Sequence, residues 1–104
     1  MARVRVEICL WLGPKLGPDF KRVSDMCSVR MERVDPGITI AELMSSLALR
    51  YPLLLGKVFD PERTRFSPYV AVTFNDRVIN PRIVHEQVLG DGDKVTVLPI
   101  YSGG

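Results

Sequence analysis

The sequence predicts an α+β domain in which four to five strands pack on one main helix. Three observations lead there. Residues 3–12 alternate apolar and polar, the period of a half-buried strand. Residues 39–51 carry a capped amphipathic helix, and two further strand-like runs, 69–74 and 95–101, follow it. At 104 residues the chain is long enough for one hydrophobic core and too short for two.

In the first strand Val4, Val6, Ile8, Leu10 and Leu12 share one face, and Arg3, Arg5, Glu7, Cys9 and Trp11 the other. A turn-rich stretch, Gly13-Pro14-Lys15-Leu16-Gly17-Pro18-Asp19, follows. A second strand then places Cys27, Val29 and Met31 towards the expected core and Ser28, Arg30 and Glu32 away from it. Asp35-Pro36-Gly37 breaks the strand. Thr39 and Glu42 have capping-box spacing, with Ile38 and Leu43 placed as a hydrophobic staple. Ile40, Leu43, Met44, Leu47, Ala48 and Tyr51 form the apolar stripe of the helix, which Pro52 ends.

Residues 52–68 read as a short helical turn packed on the core, followed by an exposed Glu62-Arg63-Thr64-Arg65 loop. The third strand, 69–74, directs Val70, Val72 and Phe74 to the core. Asn75-Asp76 supplies left-handed geometry for a tight hairpin into the short strand Arg77-Val78-Ile79. Asp91-Gly92-Asp93 turns the chain into its last strand.

Composition excludes several function classes. A net charge of +2 with interspersed signs is too balanced for a phosphate-neutralising surface, so no nucleic-acid partner is expected. No apolar run approaches the ~20 residues needed to cross a bilayer, and no membrane partner is expected. Glu7 interrupts the apolar segment after Arg3 and Arg5 and no small-residue cleavage site follows, which points to a cytoplasmic location.

The chain ends on Gly103-Gly104, and two terminal glycines arise by chance in about one chain in 200. Without side chains such a tail fits a channel closed to other residues. A carboxylate made for delivery and an ordinary frayed terminus are the two readings of the tail by itself.

The order strand, strand, helix, strand, short strand, strand, running into Gly-Gly, resembles the ubiquitin-like β-grasp fold, a mixed sheet on one helix. Gly90-Asp91-Gly92-Asp93-Lys94-Val95, leading to Leu98-Pro99-Ile100-Tyr101-Ser102-Gly103-Gly104, is similar to the ending of the MoaD/ThiS sulfur carriers. Pro36-Gly37-Ile38-Thr39-Ile40-Ala41-Glu42-Leu43 and Leu49-Arg50-Tyr51-Pro52 resemble the MoaD branch, the small subunit of molybdopterin synthase. Segments 13–25 and 53–68 are longer than that pattern.

The resemblance implies a β-grasp body over 1–100 and a flexible tail over 101–104. Gly104 is then the site that an E1-like enzyme of the MoeB/ThiF type adenylates with ATP. A cysteine desulfurase or rhodanese would supply sulfur for a thiocarboxylate, and a MoaE-type large subunit would use it for molybdopterin in the molybdenum or tungsten cofactor. Gly103 and Ser102 would thread the partner's channel, and Tyr101 would mark docking or pack at the sheet edge. The chain itself would hold no catalytic residue, metal or cofactor and would not be an enzyme. Two alternatives remain: a ubiquitin-like modifier joined to lysines through Gly104, and a non-covalent β-grasp interaction module.

Trp11 and Cys9, joined by Leu98 and Ile100, would make an apolar docking patch opposite the helix, unless segment 13–25 or 52–68 folds over it. With Cys9 and Cys27 assigned to opposite faces, a disulfide between them is not expected and Cys27 reads as a packed thiol. Two cysteines cannot hold an iron–sulfur cluster, and lone His85 lacks zinc-ligand spacing and reads as exposed. Arg63, Arg65, Arg77 and Arg82 read as solvated surface, since no glycine-rich cradle accompanies them.

Overall fold

Alternation in β1 (Ala2–Cys9) buries Val4, Val6 and Ile8 on one side, and this apolar face directs the assembly of the sheet. The computed structural model describes residues 1–100. Within them, β1 pairs antiparallel with β3 (Cys27–Val34), from Ala2↔Val34 to Cys9↔Cys27. It pairs in parallel with β8 (Lys94–Pro99), from Arg5↔Lys94 to Ile8↔Val97. On the outer side of β8 lies β6 (Val70–Phe74), extended by β7 (Arg77–Val78), and β2 (Lys21–Arg22) borders β3. The sheet thus has six strands in the order β2-β3-β1-β8-β6-β7, one more than the expected upper count. The additional strand is β2, contributed by the long segment after β1.

Helix α1 (Ile40–Arg50) starts at Thr39, whose Oγ1 accepts from Glu42 N at 3.2 Å while Thr39 N donates to Glu42 Oε1 at 3.1 Å. This is the expected capping box. Ile40, Leu43, Met44, Leu47 and Ala48 are buried against Val4, Val6, Ile8, Val70, Val72, Val95 and Val97 in one core. Pro52 follows the last helical turn and begins a 3-10 turn, Pro52–Leu54. The connector then forms a ribbon that sequence reading missed, β4 (Phe59–Asp60) against β5 (Arg65–Phe66). Its Phe59 and Phe66 meet edge to face at 5.0 Å and complete the core with Leu54 and Val58. Asn75 and Asp76 hold φ of 50° and 70°, the left-handed pair expected for the β6–β7 hairpin.

The second long strand faces opposite to its expected direction. Pairing with β1 puts Ser28, Arg30, Glu32 and Val34 on the helix side, and Cys27, Val29 and Met31 on the far side. On the helix side Ser28 and Glu32 are nonetheless buried. Glu32 takes ion pairs from Arg30, at 2.7 Å, and from Arg50. Both guanidinium groups also lie over the Tyr51 ring, at 5.6 and 5.7 Å.

The inversion overturns the expectation for the cysteines. Cys9 and Cys27 are direct cross-strand partners on one face, and they form a disulfide across a Cα–Cα distance of 3.9 Å. The odd-numbered residues of β1 direct their backbone polar groups to β8, as Arg5 N bonding Asp93 O at 2.9 Å shows. Cys9↔Cys27 is therefore a non-hydrogen-bonded pair, where facing side chains are closest.

Candidate functional site

The face of the sheet away from α1 is built in rows by strand register. In one row stand Cys27, Cys9, Leu98 and Ala71. Cys27↔Cys9 and Leu98↔Ala71 are direct pairs, and the β1–β8 register carried one residue past Ile8↔Val97 sets Cys9 beside Leu98. The next row is Val29, Glu7, Thr96 and Thr73, where Thr96 Oγ1 donates to Glu7 Oε1 at 2.9 Å. Beyond it come Met31, Arg5 and Lys94. The face is thus apolar at one end and cationic at the other.

At the apolar end Ile100 donates its backbone N–H to Tyr69 O at 3.0 Å. Alternation from Leu98 and Ala71 places the side chains of Ile100 and Tyr69 on this same face, and both are exposed, Tyr69 at 78%. Trp11, also exposed, stands just beyond β1, where its φ of 54° turns the chain out of the strand. Of the predicted docking residues, Leu98 and Ile100 lie on this face and Trp11 at its border. Tyr69 was missed as a site residue, although its alternation with core-facing Val70 was readable. Tyr101, Ser102, Gly103 and Gly104 lie outside the described residues.

Neither long segment covers this face. Leu16 and Phe20 of the segment after β1 are buried with the helix-side core, and Phe20 meets the Tyr51 ring edge to face at 5.1 Å. The Tyr51 hydroxyl donates to Asp19 Oδ2 at 3.0 Å, and Arg30 reaches Asp19 O. Burial foremost, then this bond to Asp19, raises the Tyr51 phenol above its ordinary range. Segment 52–68 likewise sends Leu54, Val58, Phe59 and Phe66 into the core.

At the cationic end Arg5 pairs with Glu7 at 2.9 Å and Lys94 with Asp76 at 2.6 Å, the bond to Asp76 raising the Lys94 ammonium above its usual range. His85, Arg63, Arg65, Arg77 and Arg82 are exposed, as read from the sequence. Among the described residues no three His, Cys, Asp or Glu side chains gather as a metal-binding group. No helix among them is long and apolar enough to cross a membrane.

Comparison with solved structures finds the same fold in SAMP1 from Haloferax volcanii, at TM-score 0.70 and 17% identity over 99% of this chain and 100% of that one. A Pyrococcus furiosus protein, provisionally assigned as molybdopterin converting factor subunit 1, aligns at TM-score 0.64 and 19% identity over 97% and 100%. A chain of the Amycolatopsis orientalis BexX/CysO complex aligns at TM-score 0.62 and 21% identity over 97% and 99%. These likenesses establish the ubiquitin-like β-grasp fold. No curated protein matches the sequence. The ThiS family model matches residues 26–104, three-quarters of the sequence and all of it from the second long strand onward, and the chain belongs to the ThiS family.

Proposed function

We propose that this ThiS-family chain is a sulfur carrier of the MoaD type, activated at Gly104. The observation that carries the reading is the position of β8. It is a central strand, flanked by β1 and β6, and Ile100, the residue that follows it, lies at the apolar end of the face away from α1. The sequence Tyr101-Ser102-Gly103-Gly104 continues from that point. Four extended residues span at most ~13 to 14 Å, enough to reach a partner's active site while the sheet face docks outside it.

A terminal carboxylate is a poor electrophile because its charge repels nucleophiles. In the proposed reaction an E1-like enzyme joins the Gly104 carboxylate to the α-phosphate of ATP, releasing pyrophosphate. The terminal sulfur of a persulfide on a donor such as a cysteine desulfurase or rhodanese then attacks the acyl carbon and AMP leaves, giving an acyl disulfide. A second thiol attacks the donor-side sulfur, the S–S bond breaks, the thiocarboxylate is released and the donor cysteine leaves in a disulfide with that thiol. Molybdopterin synthesis on a MoaE-type subunit is the proposed use of that sulfur. The chain supplies the docking face and the acyl end, and its partners supply the catalytic groups. Such chemistry belongs in the cytoplasm.

The test is the intact mass of the untagged chain after incubation with ATP, an E1-like enzyme and a sulfur donor. A gain equal to replacing one oxygen by sulfur, localised to Gly104, is expected. An unchanged mass with an enzyme that activates a related carrier would point to a different cognate E1 or to a non-covalent β-grasp module. Adducts carrying a Gly-Gly remnant on lysines would indicate protein modification instead.

A further inference from the structure

We infer that the Cys9–Cys27 bond is a reversible redox clamp that holds segment 10–26 closed. The bond ties β1 to β3 at the two ends of this segment, with a separation of 18 positions. Among the described residues inside the loop it closes, Leu16 and Phe20 are buried, Leu10 and Leu12 pack partly buried against the core, and Asp19 accepts from the Tyr51 hydroxyl. The remaining ties include Trp11 N to Met26 O at 3.1 Å, the Ser24 Oγ bonds to Met26 N and Cys27 N, and the two-residue pairing of β2. Trp11, two positions from Cys9, holds a left-handed backbone that a bulky side chain disfavours, so its geometry depends on the closure around it. By contrast, β1 and β3 are paired at seven positions besides Cys9↔Cys27. Opening the bond therefore loosens the segment, which keeps its anchors at Leu16, Phe20 and Asp19, while the sheet persists.

Cys27 is the more exposed partner and Cys9 is buried. A dithiol reductant attacks one sulfur, the S–S bond breaks, and a mixed disulfide forms. The second reductant thiol then displaces it, so that Cys9 and Cys27 each end as a thiol and the reductant leaves as its own disulfide. Two electrons and two protons pass to the protein. In a reducing compartment disulfides are commonly transient and redox-sensing. The clamp stands independently of the carrier reading. What rests on that reading is the consequence: Cys9 neighbours Leu98, and the clamp sets the border of the docking face at Trp11.

The test is hydrogen exchange and thiol alkylation on the full chain, air-oxidised or treated with dithiothreitol, without any partner. The oxidised chain should take up no alkyl group and the reduced chain two. On reduction residues 10–26 should exchange about 10- to 100-fold faster, while α1 and β8 remain protected. The C9S/C27S variant should match the reduced chain, with the reduced natural chain deciding the matter should the variant not fold. Free thiols in the air-oxidised chain, unchanged exchange in 10–26, or reduction only with loss of the whole fold would each overturn the inference. None of these outcomes depends on whether Gly104 accepts sulfur.

Discussion

The Tyr51 hydroxyl donates to Asp19 Oδ2 at 3.0 Å across 32 positions of sequence, fastening the segment after β1 to the C-terminal end of α1. With Phe20 against the same ring, the segment stays on the helix side of the sheet. On the opposite face Met31, Tyr69 and Ile100 stay exposed, while the inner residues Cys9, Val29, Thr73 and Thr96 are buried.

This bond carries a pH signature. The folded Tyr51 phenol lies above its unfolded value, so its contribution is complete below about pH 10 and is lost as pH rises through the folded value. Tyr51→Phe should cost up to about 1 kcal/mol near neutrality. The gap to the natural chain should narrow above about pH 10, measured as urea midpoints across pH. A gap independent of pH would mean that the phenol titrates alike in the folded and unfolded chain, against the raised folded value.

The proposed docking assigns a role to the apolar end of the face away from α1. Ile100→Glu puts a charge there at an exposed position, so the fold should survive. E1-dependent pyrophosphate release at limiting carrier should fall at least about tenfold, as for loss of an interface hot spot. Leu49→Glu, exposed on the helix, should release pyrophosphate like the natural chain.

The inverted face of β3 predicts opposite outcomes at two apolar positions. Met31→Lys, on the exposed side, should change stability by no more than about 0.5 kcal/mol. Val34→Lys, on the buried side, should cost more than about 3 kcal/mol by placing an unpaired charge at the core. Denaturant titration of the two variants checks the assignment, and equal costs would contradict it.

Thr39→Ala removes the oxygen that caps the first turn of α1. A loss of about 1 kcal/mol in unfolding free energy is expected. Thr39→Ser, which keeps the oxygen, should recover most of it.

Local signals were legible where a residue's neighbours in sequence are also its neighbours in space. The Thr39–Glu42 box, the stripe from Ile40 to Ala48 and the Asn75-Asp76 hairpin are of this kind, and each was read correctly. The alternation of β1 was also sufficient, since both flanking strands and the helix enforce one buried face. At β3 the same logic inverted the strand, because apolar Val29 and Met31 lie on the face away from α1 while Glu32 is buried with Arg30 of its own strand and with Arg50 from the end of α1.

The candidate site divides along the same line. Leu98, Ile100 and Trp11 were legible as a patch, whereas Tyr69 joined it only once β6 was seen to pair with β8. The disulfide was missed because the face of Cys27 follows from its pairing with β1, and alternation within a strand leaves the choice between two faces to its neighbours.

By itself the sequence determined the fold class, the capped helix, the hairpin turns and the family pattern leading to Gly-Gly, all of them products of local propensity and short spacing. Tertiary structure alone decided the facing of β3, the Cys9–Cys27 bond, the β4–β5 ribbon and the side on which the two long segments pack. Those features depend on strand register and on which surface the core leaves free, and both are settled by contacts between residues far apart in the chain.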